Sequence, residues 1–392
     1  MTALKYLARF LGIVCVTCAL VYASLDTGRL AAVWILLSVA AGALALVLVI
    51  PRAWASYLGM TLLSLALTCA AVEFYYYKTG YNDAQVREGR YPVAPDAVLG
   101  YAPEARAGAH PSRVRVGDTV VYDVVYTTKA DGWRVTPDHP DARNAVIFLG
   151  CSYTQGEGVN DTATYAWQVG ELLGREWQVF NYGLSGYGPH HALALLQSGR
   201  LDPIFARYQR VQVFFLSIPG HELRVAGFSS WDRHGPRYVL EQGKAVRRGH
   251  FDTPRADAHT LSGWLAEQGE RVLAVFRGTE LCRQVILQIL QLGHGTLIRR
   301  QCAVFAAMDA HIAARYPNAR FAVLLYPSVK ESDACAGVPV LKLAAAFPDW
   351  PDDAKYRIPL DRHPSPAAHA RVARWLAEAI KGGASAPAEV QP

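Results

Sequence analysis

A run of 21 residues without a single charge, Leu30–Ile50, constrains this chain most. As a helix it extends about 31 Å, the thickness of a bilayer's hydrocarbon core. Two more apolar runs flank it: Phe10–Leu25, behind Lys5 and Arg9, and Trp54–Tyr77, behind Pro51 and Arg52. Lipid offers backbone groups no partners, so each run reads as a spanning helix. Tyr75, Tyr76 and Tyr77 suit the membrane–water boundary, and Glu73 beside them is expected to reach the headgroups. The first run also fits a cleaved signal peptide, being short and basic at its start. Two spans directly behind it favour a retained anchor. Cys15 and Cys18 form a CxxC inside that run, where packing is the expected role.

Charge is distributed accordingly. Residues 1–78 carry five Lys/Arg and two Asp/Glu, whereas residues 79–392 carry 34 and 31. The +3 left over those later residues is no nucleic-acid signature. Lys5, Arg9 and Arg52 are expected inside the cell and the loop with Asp26 and Arg29 outside. Three spans then put residues 79–392 in the periplasm or at the cell exterior. That compartment permits disulfides. Spacing does not choose between a bond among Cys282, Cys302 and Cys335 and buried free thiols. No Cys/His spacing suggests zinc.

Residues 79–144 read as a small β-rich lead-in, with a strand at Val120–Thr128 and a turn at Lys129–Gly132. From residue 145 the pattern changes. Ala145–Leu149 is a short, wholly apolar strand, and Val179–Asn181, Val211–Leu216 and Phe321–Tyr326 read as three more, largely apolar and without alternation. Between them lie amphipathic helices at Tyr165–Leu173, His191–Gln197, Glu280–Leu292 and Leu297–Arg315. Strands without alternation, separated by helices, predict an α/β fold with a parallel central sheet covered on both faces. The main domain spans residues 145–381, with an insertion at about 225–318 that holds a hairpin turning at Gln242–Gly243. Residues 382–392 read as a flexible tail.

Ligands of such sheets bind at the carboxyl ends of the strands. There the first strand runs into Gly150-Cys151-Ser152-Tyr153-Thr154-Gln155-Gly156-Glu157-Gly158. A serine at this edge is exposed and its N–H can face an oxyanion, although a serine in a glycine-rich turn is commonly a turn residue only. Far downstream lies Asp361-Arg362-His363-Pro364-Ser365-Pro366. In extended chain Asp361 and His363 project to one side. Ser365 reads as the N-cap of a last helix with Pro366 at its first position, and Val372, Leu376 and Ile380 on one face. A supported Asp/His pair is what a serine nucleophile needs; a capping loop with an incidental ion pair is the plainer reading.

Together these pieces resemble the SGNH, or GDSL-type, serine hydrolases over about residues 145–380. Phe148–Val159 (FLGCSYTQGEGV) is similar to the family's strand–Gly–x–Ser block. Asn181-Tyr182-Gly183-Leu184-Ser185-Gly186 is similar to its N-x-G-x-S-G block, and Asp361–Pro364 to its terminal block. Asp131-Gly132-Trp133-Arg134 resembles a lead-in of membrane-anchored members. The resemblance implies a three-layer α/β/α sandwich of flavodoxin-like kind. It also implies Ser152 as nucleophile, His363 as general base and Asp361 as its orienting acid. The Ser152 and Gly186 N–H groups would form the oxyanion hole, and no cofactor or metal would be needed.

Two positions depart from the pattern. Cys151 stands where the family has Asp, a residue outside the triad. After the third strand the family's Asn is missing. His221 stands near that place, either as a ring N–H donor to the oxyanion or as a surface histidine. Arg134 and Arg224 are candidates for an anionic group of the substrate. Trp133, Trp167 and Trp231 fit either a sugar platform or packing. His190 and His191 fit either the cleft or a helix start. The expected activity is cleavage of a small acyl ester, acetyl in particular, on an extracytoplasmic glycan or small molecule. Transfer of the acyl group to a sugar uses the same residues and requires a donor or an envelope protein partner. A non-catalytic, glycan-binding module is the rival class.

Overall fold

The computed structural model describes residues 31–49, 53–80, 85–229, 231–253, 294–330, 335–350 and 354–382. The runs Phe10–Leu25 and Glu280–Leu292, Cys282 and residues 383–392 of the expected tail lie outside them. The described residues fall into two compact units that meet in sequence at residue 85.

The first unit holds α1 (Ala31–Val49) and α2 (Ala53–Gly80), where the second and third apolar runs predict helices. They pack closely, since a Cβ on Gly59 would lie 2.9 Å from the Ala43 carbonyl oxygen. Within α2, Ser56–Tyr75 is long and apolar enough to cross a membrane by length and composition, with mean hydropathy 1.6. Glu73 does not reach outward as expected; it is buried.

The second unit begins with β1 (Gln85–Glu88), β2 (Val93–Asp96), β3 (Gly100–Pro103), β4 (Gly108–Val116) and β5 (Thr119–Thr128). The order β1-β4-β5 forms an antiparallel sheet and β2-β3 a separate hairpin. The main sheet follows. Its strands are β6 (Asn144–Gly150), β7 (Trp177–Gly183), β8 (Arg210–Ser217), β11 (Ala319–Leu325) and β12 (Val340–Lys342). The hairpin β9 (Pro236–Glu241) and β10 (Lys244–His250) lies in the insertion, turning at Gln242 and Gly243, both of positive φ.

The main sheet is parallel throughout, with spatial order β12-β11-β8-β6-β7. The chain starts in the middle, steps to one side for β7, then returns past β6 to β8. This is the flavodoxin-like order, and the reversal opens a crevice at the carboxyl ends of β6 and β8.

Both faces are covered, which is why the strands read as largely apolar runs without alternation. On one face Val146 and Phe148 meet Val169 of α4 (Tyr165–Leu173) and Leu376 of α9 (Pro366–Lys381). On the other, Ala145, Ile147 and Leu149 meet Leu193 of α5 (Pro189–Gln197) and Phe305 of α8 (His294–Arg315). The lead-in strands extend that second core through Val114, Val124 and Tyr126. Three short helices complete the unit: α3 (Ser152–Gln155), α6 (Asp202–Arg207) and α7 (His221–Val225). A disulfide joins Cys302 on α8 to Cys335 ahead of β12. Cys151 is a buried free thiol within the first face's core.

Candidate active site

The turn after β6 places Ser152 at the first position of α3, facing a cleft of about 700 Å³. Two buried amides lock this turn to the loop after β7. Asn181 Nδ2 donates to the Thr154 carbonyl at 2.9 Å, and Gln155 Oε1 accepts from the Ser185 N–H at 2.7 Å. The loop carrying Gly186 is thereby held against the loop carrying Ser152.

His363 arrives from the segment before α9. Ser365 caps that helix, accepting from the Ala368 N–H at 3.4 Å, and its hydroxyl donates to the Lys355 carbonyl at 2.7 Å. The pair does not converge through extended chain, as the spacing suggested. Leu360 and Arg362 both have positive φ, 65° and 72°, a conformation that costs a non-glycine residue about 1 kcal/mol or more. The resulting tight turn brings the Asp361 carboxylate back under its own loop. Asp361 Oδ1 accepts from the His363 N–H at 3.2 Å and from its ring Nδ1. His363 Nε2 then lies 2.9 Å from Ser152 Oγ. Tyr153 packs edge-on against the His363 ring.

The electrostatics suit a base. Burial disfavours protonated His363, but the Asp361 bond and the charges of Glu157 and Asp361 outweigh it, so its pKa lies above the ordinary histidine value. Burial acts against the Asp361 carboxylate, yet its bonds to His363 hold its pKa below the usual range. The Ser152 and Gly186 N–H groups take no partner among the described residues, and both residues line the cleft. Gly186 has φ +84°, and a Cβ there would lie 2.5 Å from the Tyr101 hydroxyl and 2.7 Å from Trp231 Nε1. Only glycine fits the position.

Ser152, Asp361, His363 and Gly186 therefore meet, and Arg224 lines the same cleft. Arg224 Nη1 donates to the Tyr187 carbonyl at 2.6 Å, and its guanidinium stacks over Trp231. Two other candidates sit elsewhere. His221 is fully buried: Gly220 (φ 89°) starts a turn of helix that rolls the ring inward. Its Nδ1 accepts from the Ile218 N–H at 3.3 Å, and its ring lies against Phe215 rather than on the cleft wall. Arg134 is also fully buried. It donates to Asp161 and to the carbonyls of Gln155, Gly156 and Val159. It braces the turn behind Ser152 and presents nothing to a substrate.

Sequence reasoning gave no role to Glu157. Its carboxylate lines the cleft with Oε2 3.7 Å from His363 Nε2. Trp231, expected either as platform or as packing, forms part of the cleft wall and donates to the Gly186 carbonyl at 3.3 Å.

The segment bearing Trp231 is anchored by Asp232, which is buried beside His190 and His191. These three side chains are of metal-ligand type. The His191 ring argues against a metal there. Its Nδ1 accepts from the Gly188 N–H, so its proton sits on Nε2, facing Asp232 Oδ1 at 3.2 Å. Burial pushes the His190 pKa down to about 4, so its neutral ring donates from Nε2 to Asp232 Oδ2 at 2.8 Å. The cluster is a carboxylate brace.

No protein-family model matches the chain, and no curated protein does. Solved structures do. A lipolytic protein of the G-D-S-L family from Veillonella parvula is 9% identical, with 61% of this chain and 97% of that one covered, at a TM-score of 0.31. TesA is 13% identical, with 60% and 97% covered, at 0.31. An acetyl xylan esterase from the rumen bacterium Butyrivibrio proteoclasticus is 14% identical, with 64% and 67% covered, at 0.29.

Proposed function

We propose that this protein is a membrane-anchored serine esterase of SGNH type that removes small acyl groups, acetyl above all, from extracytoplasmic glycans or related molecules. The observation that carries the reading is the Ser152–His363–Asp361 relay at a cleft, with Ser152 Oγ 2.9 Å from His363 Nε2.

In this reading Ser152 Oγ attacks the ester carbonyl while His363 Nε2 takes its proton, and Asp361 steadies the imidazolium that forms. The carbonyl oxygen becomes an oxyanion between the Ser152 and Gly186 N–H groups. His363 returns the proton to the departing alcohol, leaving an acyl-serine. Water then repeats the sequence and frees the acid. With a sugar hydroxyl in place of water, the same relay transfers the acyl group.

Three features support the cellular setting and substrate class. Tyr57, Met60, Leu65 and Tyr75 of α2 are exposed, an apolar surface suited to lipid. The Cys302–Cys335 bond suits an oxidising compartment. Trp231 is exposed on the cleft wall with Arg224 over its ring, and Arg90 lines the same cleft, so two cations are at hand for an anionic substituent.

Incubation of the full chain with a fluorophosphonate probe tests the reading. The expected result is covalent labelling that disappears in Ser152→Ala. A folded wild-type protein that takes no label would make it a binding module instead. Acetylated sugars and short-chain aryl esters, assayed on both forms, then define the substrate.

A further inference from the structure

Glu157 is a buried carboxylate that the relay does not use. Arg87 Nη2 holds its Oε1 at 2.9 Å. Its Oε2 accepts from the Ser185 hydroxyl at 2.8 Å and faces His363 Nε2 at 3.7 Å. A carboxylate oxygen has two lone pairs, so Oε2, on the cleft wall, can accept one donor besides Ser185. Ser152 Oγ lies on the same Nε2 atom. Whatever attacks the acyl-serine must therefore stand beside His363 Nε2, and an oxygen there spans the gap to Oε2 with ordinary hydrogen bonds.

We infer that Glu157 is a further catalytic residue, which receives the second proton-bearing arm of the attacking water and so selects the acyl acceptor. The inference rests on the serine-esterase reading and extends it to the second half-reaction. Water's oxygen bonds to the acyl carbon. One proton passes to His363 Nε2, and the other stays on the oxygen, directed at Glu157 Oε2. The carbon–Oγ bond breaks, Ser152 Oγ recovers the proton from His363, and the acid leaves with the second proton. A simple alcohol has one such proton and gives it to His363, leaving Oε2 unmatched. A vicinal sugar diol supplies the missing donor from its neighbouring hydroxyl. The site accordingly favours water or a diol over a mono-alcohol.

Glu157→Gln is the informative substitution. Arg87 is a donor and holds the amide oxygen at the Oε1 position, so an NH2 replaces Oε2. The test uses the full chain with p-nitrophenyl acetate, whose good leaving group separates a burst (acylation) from the steady rate (deacylation). The burst in Glu157→Gln is expected to slow only by what the loss of a charge beside His363 costs both half-reactions, and by less than the steady rate. Deacylation is expected to fall about tenfold to hundredfold, as one hydrogen bond to a charged acceptor is lost. With methanol added, the ratio of methyl acetate to acetate should rise by about the same factor. That ratio does not depend on how much of the variant folds. An unchanged ratio overturns the inference. Equal slowing of burst and steady rate does so too, because it marks mere support of the Ser185–Gly186 loop. Ser185→Ala reproducing the split would have the same meaning. Absence of a burst in the wild type, with no label on Ser152, sinks the esterase reading itself and this inference with it.

Discussion

Arg134 separates a structural from a ligand-binding account of one residue. Its guanidinium donates to carbonyls at 2.7 Å (Gln155), 2.6 Å (Gly156) and 2.6 Å (Val159), and to Asp161 Oδ1 at 2.8 Å. It also lies over the Tyr126 ring. Arg134→Met keeps much of the volume and removes every donor. Each hydrogen bond to a charged group is worth about 1.5–3 kcal/mol, but the losses overlap. Asp161 is partly exposed and recovers water, whereas the carbonyls do not. The expected destabilisation is about 4 kcal/mol, within the range for breaking a buried pair. For a domain of this size that corresponds to a fall in melting temperature of about 10 °C. Arg134→Lys should lose most of the same amount, because a point charge cannot serve four acceptors in a fork.

The kinetic signature has a definite direction as well. The braced turn carries Ser152, so kcat should fall in both variants with KM little changed, equally for neutral and anionic esters. Thermal melts of the full chain, combined with kinetics on a neutral and an anionic ester, check both halves. If Arg134→Met melts with the wild type and only the KM of the anionic ester rises, Arg134 binds substrate and the buried-brace account is refuted.

The raised His363 pKa sets the acid limb of kcat/KM: activity needs the neutral ring, so it should rise with pH through a midpoint above about 6.5. A limb at or below that value would contradict the combined influence of Asp361 and Glu157. Gly186→Ala should lower kcat about 10²–10³-fold with the fold intact, since the new Cβ displaces one oxyanion donor; an active variant would remove Gly186 from the oxyanion hole. Reduction of Cys302–Cys335, which closes a segment of 33 residues, should cost about 4 kcal/mol. Chemical denaturation with and without dithiothreitol measures this, with Cys302→Ser as the form that reductant leaves unaffected.

What could be read from the sequence, and what could not, divides along one physical line. Four strands of the main sheet were legible because a strand buried on both faces is apolar without alternation, most completely at Ala145–Leu149. The fifth, β12, has three residues, too few to carry a pattern. Ser152, His363 and Asp361 were legible because each stands at the end of an element whose boundary is itself encoded, by Gly150 after a strand or by Ser365-Pro366 before a helix. Their meeting across 211 residues follows once those ends share one sheet edge. Residues whose role depends on tertiary burial gave no such signal. Glu157 between two glycines and Arg134 after Asp131-Gly132 both look like solvated turn residues. The first is buried because Arg87, 70 positions away, neutralises it. The second is buried because three carbonyls of the serine turn converge on it. His221 fails for a related reason: a left-handed Gly220 turns a loop into helix and rotates the ring away from the cleft. A charged side chain in a glycine-rich turn is therefore ambiguous until its partner is known, and here the partners place Glu157 on the cleft wall while Arg134 holds the turn that carries Ser152.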